Sequence, residues 1–481
     1  MRIPTESLGT VTDWRDGITW SSAELAAQAN RTARHLIESG AGRGDRIVIW
    51  HGGSGRFFGD LMGVWKIGAC AVCLNPSTTE EELGRIVDFV NAAAVLDDGI
   101  TRLDTTLSAP VLNSGAFVNS DDDVVGESKL DDDALILFTS GTTGTPKGVL
   151  HSFRSLLARV ALNQFHIPRS VRGRTLSVLP THFGHGLIGN CLTVLLDRQS
   201  LLLAPATNLD VSGNLGAIID EHSITFMSSV PTLWKRVLGS VPPPQNGSLM
   251  RVHVGSAPLS AELWNGIADW ADTRDVVNMY GITETANWIA GASLADHEAA
   301  DGLVGDMWGG TAAVLDTSGG IHAEGEGELL VQSPSLMQGY FQLPEQTNAV
   351  LRNGWFHTGD IGHIDAKGTI RLTGRQKYEI NRGGIKVHPE DIDLLLERHD
   401  SVGEACAFAL PDEIEGEIVA VAVTSGDGSK LDPRALRRWC GERLAREKIP
   451  SRWFVVDEIP KTDRGKVNRD NVAAYCLDLN S

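Results

Sequence analysis

An apolar strand that empties into a loop of glycines and hydroxyls constrains this chain more than any other feature. Ala134 to Phe138 is an unbroken apolar run. It leads into Thr139-Ser140-Gly141-Thr142-Thr143-Gly144-Thr145-Pro146-Lys147. Glycines let main-chain N–H groups approach an anion closely, hydroxyls add donors, and a lysine adds a point charge. The composition suits a polyphosphate wrapped by backbone. The loop is not a Walker A loop: four residues after Gly141 the chain reaches Pro146, where that loop needs a second glycine before its lysine. The plain alternative is a solvated turn between two strands.

The surrounding pattern says what scaffold presents the loop. Ala23 to Ser39 has helical spacing in Leu25, Ala26, Ala33 and Leu36. Gly40 to Gly44 interrupts it, and Arg46 to Trp50 reads as a buried strand. Phe57 to Ile67 is helical, and Cys70 to Leu74 is a second buried strand. Alternation of this kind predicts parallel sheets covered by helices on both faces. Asp121–Asp123 and Asp131–Asp133 bracket a polar connector ahead of the loop strand. Later, Gly325 to Val331, Gly354 to Asp360 and Gly368 to Gly374 are short strands between turn residues and predict a β-rich subdomain. After Arg375 the pattern is a small α+β unit. A helix opens at His388-Pro389-Glu390-Asp391, with proline in the first turn and acids at the positive end. Strands follow near Ala405–Leu410 and Ile418–Thr424, then a helix over Asp432–Leu444 and a strand near Trp453–Val456.

The chain has 481 residues, enough for a large domain and a small one. Its formal net charge is −19, which argues against bulk binding to nucleic acid or an anionic membrane. It leaves room for a nucleotide held by a few local donors. No apolar run has the length of a membrane span. Met1 to Gly17 carries Glu6, Asp13 and Asp16 and does not read as a signal peptide. Cys70 and Cys73 form a lone CxxC inside an apolar strand and read as small core residues. A cytoplasmic protein is expected, and nothing in the sequence sets an oligomeric state.

Further motifs follow the loop in order. Gly255-Ser256-Ala257-Pro258-Leu259 offers small residues on which a flat purine can lie. Asn278-Met279-Tyr280-Gly281-Ile282-Thr283-Glu284-Thr285 offers an aromatic face, a hydroxyl donor and one carboxylate. Thr283 and Glu284 would equally serve as the cap and first-turn acid of a helix, whose N-terminus is itself an anion site. Gly354-Trp355-Phe356-His357-Thr358-Gly359-Asp360, Gly374-Arg375-Gln376-Lys377-Tyr378 with Gly383-Gly384, and Pro460-Lys461-Thr462-Asp463-Arg464-Gly465-Lys466 complete the series.

Together these motifs resemble those of the adenylate-forming superfamily: acyl- and aryl-CoA synthetases, peptide-synthetase adenylation domains and firefly-type luciferases. The resemblance runs from Thr19-Trp20-Ser21-Ser22-Ala23-Glu24-Leu25 to Lys466 and is strongest toward a bacterial acyl- or aryl-CoA ligase. It implies an α/β fold. A large N-terminal domain, residues 1–375, would comprise helix-covered sheets plus a β-barrel-like subdomain. A hinge would join it to a small α+β C-terminal domain, residues 376–481.

The resemblance also implies site residues. Lys147 and the loop residues Thr139, Ser140, Gly141, Thr142, Thr143 and Gly144 hold the ATP phosphates. Gly255, Ser256, Ala257, Tyr280 and Gly281 take the adenine, Asp360 the ribose, and Arg375 ribose or phosphate. Thr283 donates to the α-phosphate and Glu284 binds Mg²⁺, an ion that needs only one or two carboxylates besides nucleotide phosphates. Lys466 neutralises charge as the acid attacks the α-phosphorus. Lys377 is the hinge pivot. Tyr378 departs from the acid common at its position. Gly383 and Gly384 admit the pantetheine arm of coenzyme A, or the phosphopantetheine of a carrier protein.

The same resemblance draws the pocket of a small carboxylic acid from His182, Phe183, Gly186, Ser228, Val230, Met279 and Ile282. No acid lies between Pro180 and Asn190 to hold an α-ammonium, and an unpartnered buried ammonium is costly. An α-amino acid is therefore disfavoured. His182-Phe183 through Gly189-Asn190 resembles the corresponding stretch of benzoate-type CoA ligases, which implies an aryl or medium-sized acyl acid. His185 reads as an ordinary packed histidine. An adenylation enzyme that loads a carrier protein would carry the same motifs. A non-catalytic nucleotide sensor would not need Lys466 and Glu284.

Overall fold

A computed structural model describes residues 8–99, 106–117, 124, 128–139, 147–205, 209–382, 385–412, 415–444, 446–462 and 466–479. The chain divides into two compact units. The first is Met1–Thr311 with Gln332–Phe356, and the second is Ala312–Val331 with His357–Ser481.

The first unit holds two large sheets. In the seven-stranded one the spatial order is Gly339–Tyr340, Lys147–Ser152, Asp133–Thr139, Cys70–Cys73, Arg46–Ile49, Ala94–Asp97 and Val111–Asn113. The central pairs are parallel, as the alternating pattern predicts. The strand that feeds the loop instead pairs antiparallel with the strand that leaves it. Cys70 and Cys73 are fully packed core residues of that sheet.

The second sheet runs through Asn287–Ser293, Val276–Ile282, Arg251–Gly255, Phe226–Ser229, Arg174–Ser177, Ser200–Leu203 and Thr10–Asp13. Its middle is parallel; Asn287–Ser293 joins it antiparallel and pairs in turn with Leu303–Met307. Trp234, Trp264 and Trp288 are fully buried against it.

Helix Ser22–Glu38 starts with a capping box between Ser21 and Glu24. It packs on Gly55–Lys66 across a seam made by glycines: a Cβ on Gly63 would sit 2.8 Å from the Ala29 carbonyl oxygen. In that seam Asp60 is fully buried. It accepts hydrogen bonds from Gln28 at 2.8 Å and Thr32 at 2.5 Å and pairs with His51 at 2.9 Å. A carboxylate so deep requires such partners.

The second unit begins with the β-rich segment. Its strands are ordered Ile321–His322, Thr311–Leu315, Gly325–Gln332, Trp355–Ile364 and Ile370–Arg375. Beyond Arg375, Gly416–Ser425 pairs antiparallel with Val402–Asp412 and parallel with Arg452–Val455. Helices Pro389–Leu396, Pro433–Gly441 and Arg469–Asp478 cover this sheet. The two hydrophobic faces of the sheet account for the alternation of inward residues along Cys406–Leu410. Among the described residues, no helix is long and apolar enough to cross a membrane.

Candidate active site

The loop strand ends at Thr139, which pairs with Lys147, and Phe138 pairs with Gly148. The phosphate-loop motif therefore caps an antiparallel hairpin, unlike a Walker A loop, which joins a strand to a helix. The Thr139 side chain and residues Ser140, Gly141, Thr142, Thr143 and Gly144 lie outside the described residues, as do Gly383 and Gly384. Lys147 stands at the mouth of the hairpin, and its Nζ lies 3.9 Å from the centre of the Tyr340 ring.

Tyr340 joins that lysine to the Tyr280–Thr285 motif. Its hydroxyl donates to Glu284 Oε1 at 2.8 Å. The short strand Gly339–Tyr340 pairs with Lys147–Ser152, and the Met337 N–H donates to the Glu284 carbonyl at 2.8 Å. Burial and the adjacent carboxylate push the Tyr340 phenol well above its usual range, so it stays a donor. The sequence reading missed this residue. Its only local signals are the Gly339-Tyr340 pair and the scarcity of tyrosine, four in the chain.

Thr283 and Glu284 are half-buried. The alternative reading, a helix capped by Thr283, does not hold. Thr283–Thr285 is one 3₁₀ turn, and strand Asn287–Ser293 follows at once. No helix N-terminus serves an anion here. The reason is a tight reversal: Ala286 and Asn287 have φ of 58° and 114°, a strained region for non-glycine residues. Gly281 permits it, because a Cβ there would meet the Asn287 carbonyl oxygen at 2.2 Å. The Thr283 carbonyl accepts from His151 Nε2 at 2.8 Å, and burial lowers the His151 pKa to about 4. Tyr280 is buried at the bulge in strand Val276–Ile282.

Gly255 ends its strand. Ser256 follows with φ of 72°, a left-handed backbone in a side chain-bearing residue, and Ala257 is half-buried beside it. His185 explains the arrangement. Its Nδ1 is 2.7 Å from Ser256 Oγ and its Nε2 is 2.6 Å from Ser228 Oγ. The imidazole bridges two hydroxyls, one nitrogen donating and the other accepting. The histidine is buried, as a packed residue should be, and its ring links strand ends that are far apart in sequence. His185 opens a π-helical stretch, His185–Leu192, that contains Gly186; such turns are common at functional sites.

The other expected pocket residues separate. Phe183 packs in the cluster of Leu176 and Trp234, with Val230 against it. His182 stacks edge-on to Phe183. Met279 lies among Phe226, Trp288 and Trp308, whereas Ile282 packs with Tyr340 and Met337. The Trp288 ring is 5.4 Å from His185 and 4.6 Å from His253. Burial keeps His253 well below the ordinary histidine range, hence neutral. Among the described residues, Asn287 Nδ2 and Trp288 Nε1 are buried without a hydrogen-bond partner.

In the second unit, Asp360 is buried and pairs with Arg375 at 2.5 Å, directly across the strand pair. The preceding turn is held by Glu328, which accepts from the Gly359 N–H at 3.1 Å and contacts His357 Nδ1 at 3.2 Å. Lys377 lies in a 3₁₀ turn, Gln376–Tyr378, and pairs with Asp470 at 2.9 Å. Tyr378 sits near two cations, Lys377 and Arg469. Lys466 is exposed, and its carbonyl accepts from the Thr462 N–H at 2.8 Å.

Comparisons with known proteins agree along the whole chain. A family described as AMP-binding enzyme matches residues 8–341, and its C-terminal domain matches residues 391–466. A probable CoA ligase of Humulus lupulus is 30% identical over 95% of this chain and 91% of its own length. An oxalate–CoA ligase of Arabidopsis thaliana is 29% identical over 95% and 93%. Among solved structures, ATP-bound MatB from Rhodopseudomonas palustris has a TM-score of 0.86 at 26% identity, covering 99% of this chain and 97% of that one. With both of its domains matched and the motifs in order, the chain belongs to the AMP-binding enzyme family.

Proposed function

We propose that this chain is an AMP-forming acid–thiol ligase. A carboxylate oxygen attacks the α-phosphorus of ATP and pyrophosphate leaves, giving an acyl-adenylate. The thiol of coenzyme A then attacks the acyl carbonyl and AMP leaves. Most of the catalytic work is positioning and charge stabilisation. The observation that carries the reading is the Lys147–Tyr340–Glu284 series at the mouth of the glycine-rich hairpin. It sets a cation and a carboxylate against one aromatic ring, where a polyphosphate and its metal need them.

Mg²⁺ fits this arrangement. Glu284 gives one oxygen to Tyr340 and keeps the other. One free carboxylate oxygen suits an ion bound mainly through nucleotide phosphates. Bound there, it would offset phosphate charge. Thr283 donates to the α-phosphate, Asp360 and Arg375 take the ribose, and Lys466 offsets the charge of the attacking and bridging oxygens. Lys377 is the pivot, with functional domains 1–375 and 376–481, and Gly383-Gly384 the thiol passage. A cytoplasmic setting supplies ATP and coenzyme A.

For the acid, we favour a compact one with acceptor oxygens over an aryl acid. His185, Ser228 and Ser256 form a polar set, and two donors beside it, Asn287 Nδ2 and Trp288 Nε1, are buried without partners. Unmet buried donors cost roughly 1–3 kcal/mol each, a cost that an acid's oxygens would relieve. Oxalate, named for the Arabidopsis relative, is of this kind.

Acid-dependent ATP–pyrophosphate exchange, run with a panel of acids and followed by thioester formation with coenzyme A, tests the reading. Lys466→Ala should lose at least about tenfold in exchange yet still form thioester from supplied acyl-adenylate. Equal loss of both half-reactions would reject the role of Lys466. Absence of any acid-dependent exchange in the parent enzyme would reject the function.

A further inference from the structure

Helix Phe153–His166 starts directly after strand Lys147–Ser152 and turns Phe153, Leu156 and Val160 into the core. Arg159 lies on the same buried face and is itself fully buried. Among the described residues, no carboxylate pairs with it. Two other buried arginines are compensated, Arg172 by Asp197 at 2.9 Å and Arg469 by Asp393 at 2.7 Å. A guanidinium without an acid is costly to bury, and an apolar side chain of similar volume would serve folding as well or better. Burial lowers the Arg159 pKa to about 9, so the charge persists at neutral pH.

The partners of Arg159 show what the charge does. Nε and Nη2 donate to Ser335 Oγ at 3.2 and 2.6 Å. Nη2 also donates to Ser333 Oγ at 3.2 Å, and Nη1 to the Trp308 carbonyl at 3.0 Å. A guanidinium only donates, so it takes the acceptor side of Ser335 Oγ. That hydroxyl then donates to the Thr285 carbonyl at 3.0 Å. Thr285 closes the turn that carries Thr283 and Glu284. Every carbonyl of the turn is thereby held: that of Thr283 by His151, that of Glu284 by the Met337 N–H, and that of Thr285 by Ser335. The last two partners belong to one segment, residues 333–341, which also brings the Tyr340 hydroxyl to Glu284 Oε1. Pairing of Gly339–Tyr340 with Lys147–Ser152 fixes the far end of this segment. Arg159 fixes the near end.

We propose that Arg159 is a positioning residue for adenylate formation: it anchors Ser333 and Ser335, so that segment 333–341 holds the Glu284 carboxylate in place. The inference rests on the proposed adenylation. Arg159 acts through Ser335 and the turn, without touching substrate. Its helix follows the strand that leaves the glycine-rich loop, so it ties the Glu284 turn to the element that carries Lys147.

Two variants test this. Arg159→Met keeps the volume and removes the donors. Ser335→Ala keeps the arginine and removes the hydroxyl that reaches Thr285. Each should lower pyrophosphate exchange about tenfold to a hundredfold and raise the Mg²⁺ concentration for half-maximal exchange. Calorimetry reads the same effect without turnover: Mg²⁺ should enhance ATP affinity less in both variants, with metal-free ATP binding unchanged. Thioester formation from supplied acyl-adenylate should stay within about twofold, and Arg159→Met added to Glu284→Gln should cost about twofold or less, because both changes act through one carboxylate. Arg159→Lys, which keeps the charge but not the fork, should retain part of the exchange.

A folded Ser335→Ala with parental Mg²⁺ dependence overturns the proposal, and it decides the matter alone should Arg159→Met not fold. Equal losses from Arg159→Met in the parent and Glu284→Gln backgrounds overturn it too. So does an equal loss in both half-reactions, which would mark a general structural role. A parent enzyme that forms no adenylate would reject the proposed function and this assignment with it, whereas parental exchange in both variants rejects the assignment alone.

Discussion

At the scale of single residues, Tyr340 has the most to explain. It contacts both charged groups of the hairpin mouth, the Lys147 ammonium through its ring and Glu284 through its hydroxyl. A hydrogen bond to a charged group contributes about 1.5–3 kcal/mol, and the half-exposure of Glu284 places it at the low end. Tyr340→Phe keeps the ring and the fold and removes only the hydroxyl. It should raise the Mg²⁺ concentration for half-maximal pyrophosphate exchange roughly three- to tenfold, with the acid preference unchanged. Tyr340→Leu removes the ring as well and should also raise the KM for ATP. A Mg²⁺ titration of Tyr340→Phe that overlays the parent would show that the hydroxyl does not position Glu284.

Among the elements, the short turn Gln376–Tyr378 carries the sharpest prediction. It joins strand Ile370–Arg375 to strand Ile380–Arg382, and Lys377 makes an exposed ion pair with Asp470. An exposed pair of this kind contributes about 0–1 kcal/mol, so it can break and reform. Proline at 377 would fix φ near roughly −65° and push Gln376 out of the helical region that the 3₁₀ turn requires. Lys377→Pro should therefore leave pyrophosphate exchange within about twofold and cut acyl transfer to coenzyme A by at least about tenfold. Full thiol transfer in the folded variant would place the pivot elsewhere. The motif alone suggested a hinge, and this variant tests it.

For the molecule as a whole, buried neutral histidines set a dependence of stability on pH. His151 and His253 are both held below the ordinary value of 6.5 by burial, His151 to about 4. Between those values the unfolded chain binds a proton at His151 that the folded chain does not. Stability is then fully present above about pH 6.5 and falls as pH drops toward about 4, by as much as about 3 kcal/mol from His151 alone. His151→Gln still offers an N–H to the Thr283 carbonyl and should flatten that slope. Denaturant unfolding at about pH 5 and about pH 7 measures it. All but Trp439 and Trp453 of the twelve tryptophans lie in the first unit, so their fluorescence reports the unit that contains both histidines. An equal slope in parent and variant would assign the acid sensitivity to other groups.

Much of this protein was determined by local sequence. Strands such as Arg46–Ile49 and Cys70–Cys73 and helices such as Ser22–Glu38 begin and end within a residue or two of where periodicity, capping and glycine place them. The same holds for the proline-led start of helix Pro389–Leu396 and for strand Gly416–Ser425, whereas strand Val402–Asp412 starts three residues earlier than the pattern places it. These features depend on neighbours a few residues apart, so they are legible in order. The turn after Glu284 was not, because a strained reversal at Ala286 and Asn287 overrides the local helix-capping signal of Thr283. Tyr340 bonds a residue 56 positions away, and His185 bonds one 71 positions away. The pairing of Asp360 with Arg375 likewise depends on strand register. Sequence determined the elements and the family of the chain. Which side chains share a hydrogen bond was decided by the tertiary structure alone, since only packing brings distant donors and acceptors within about 3 Å.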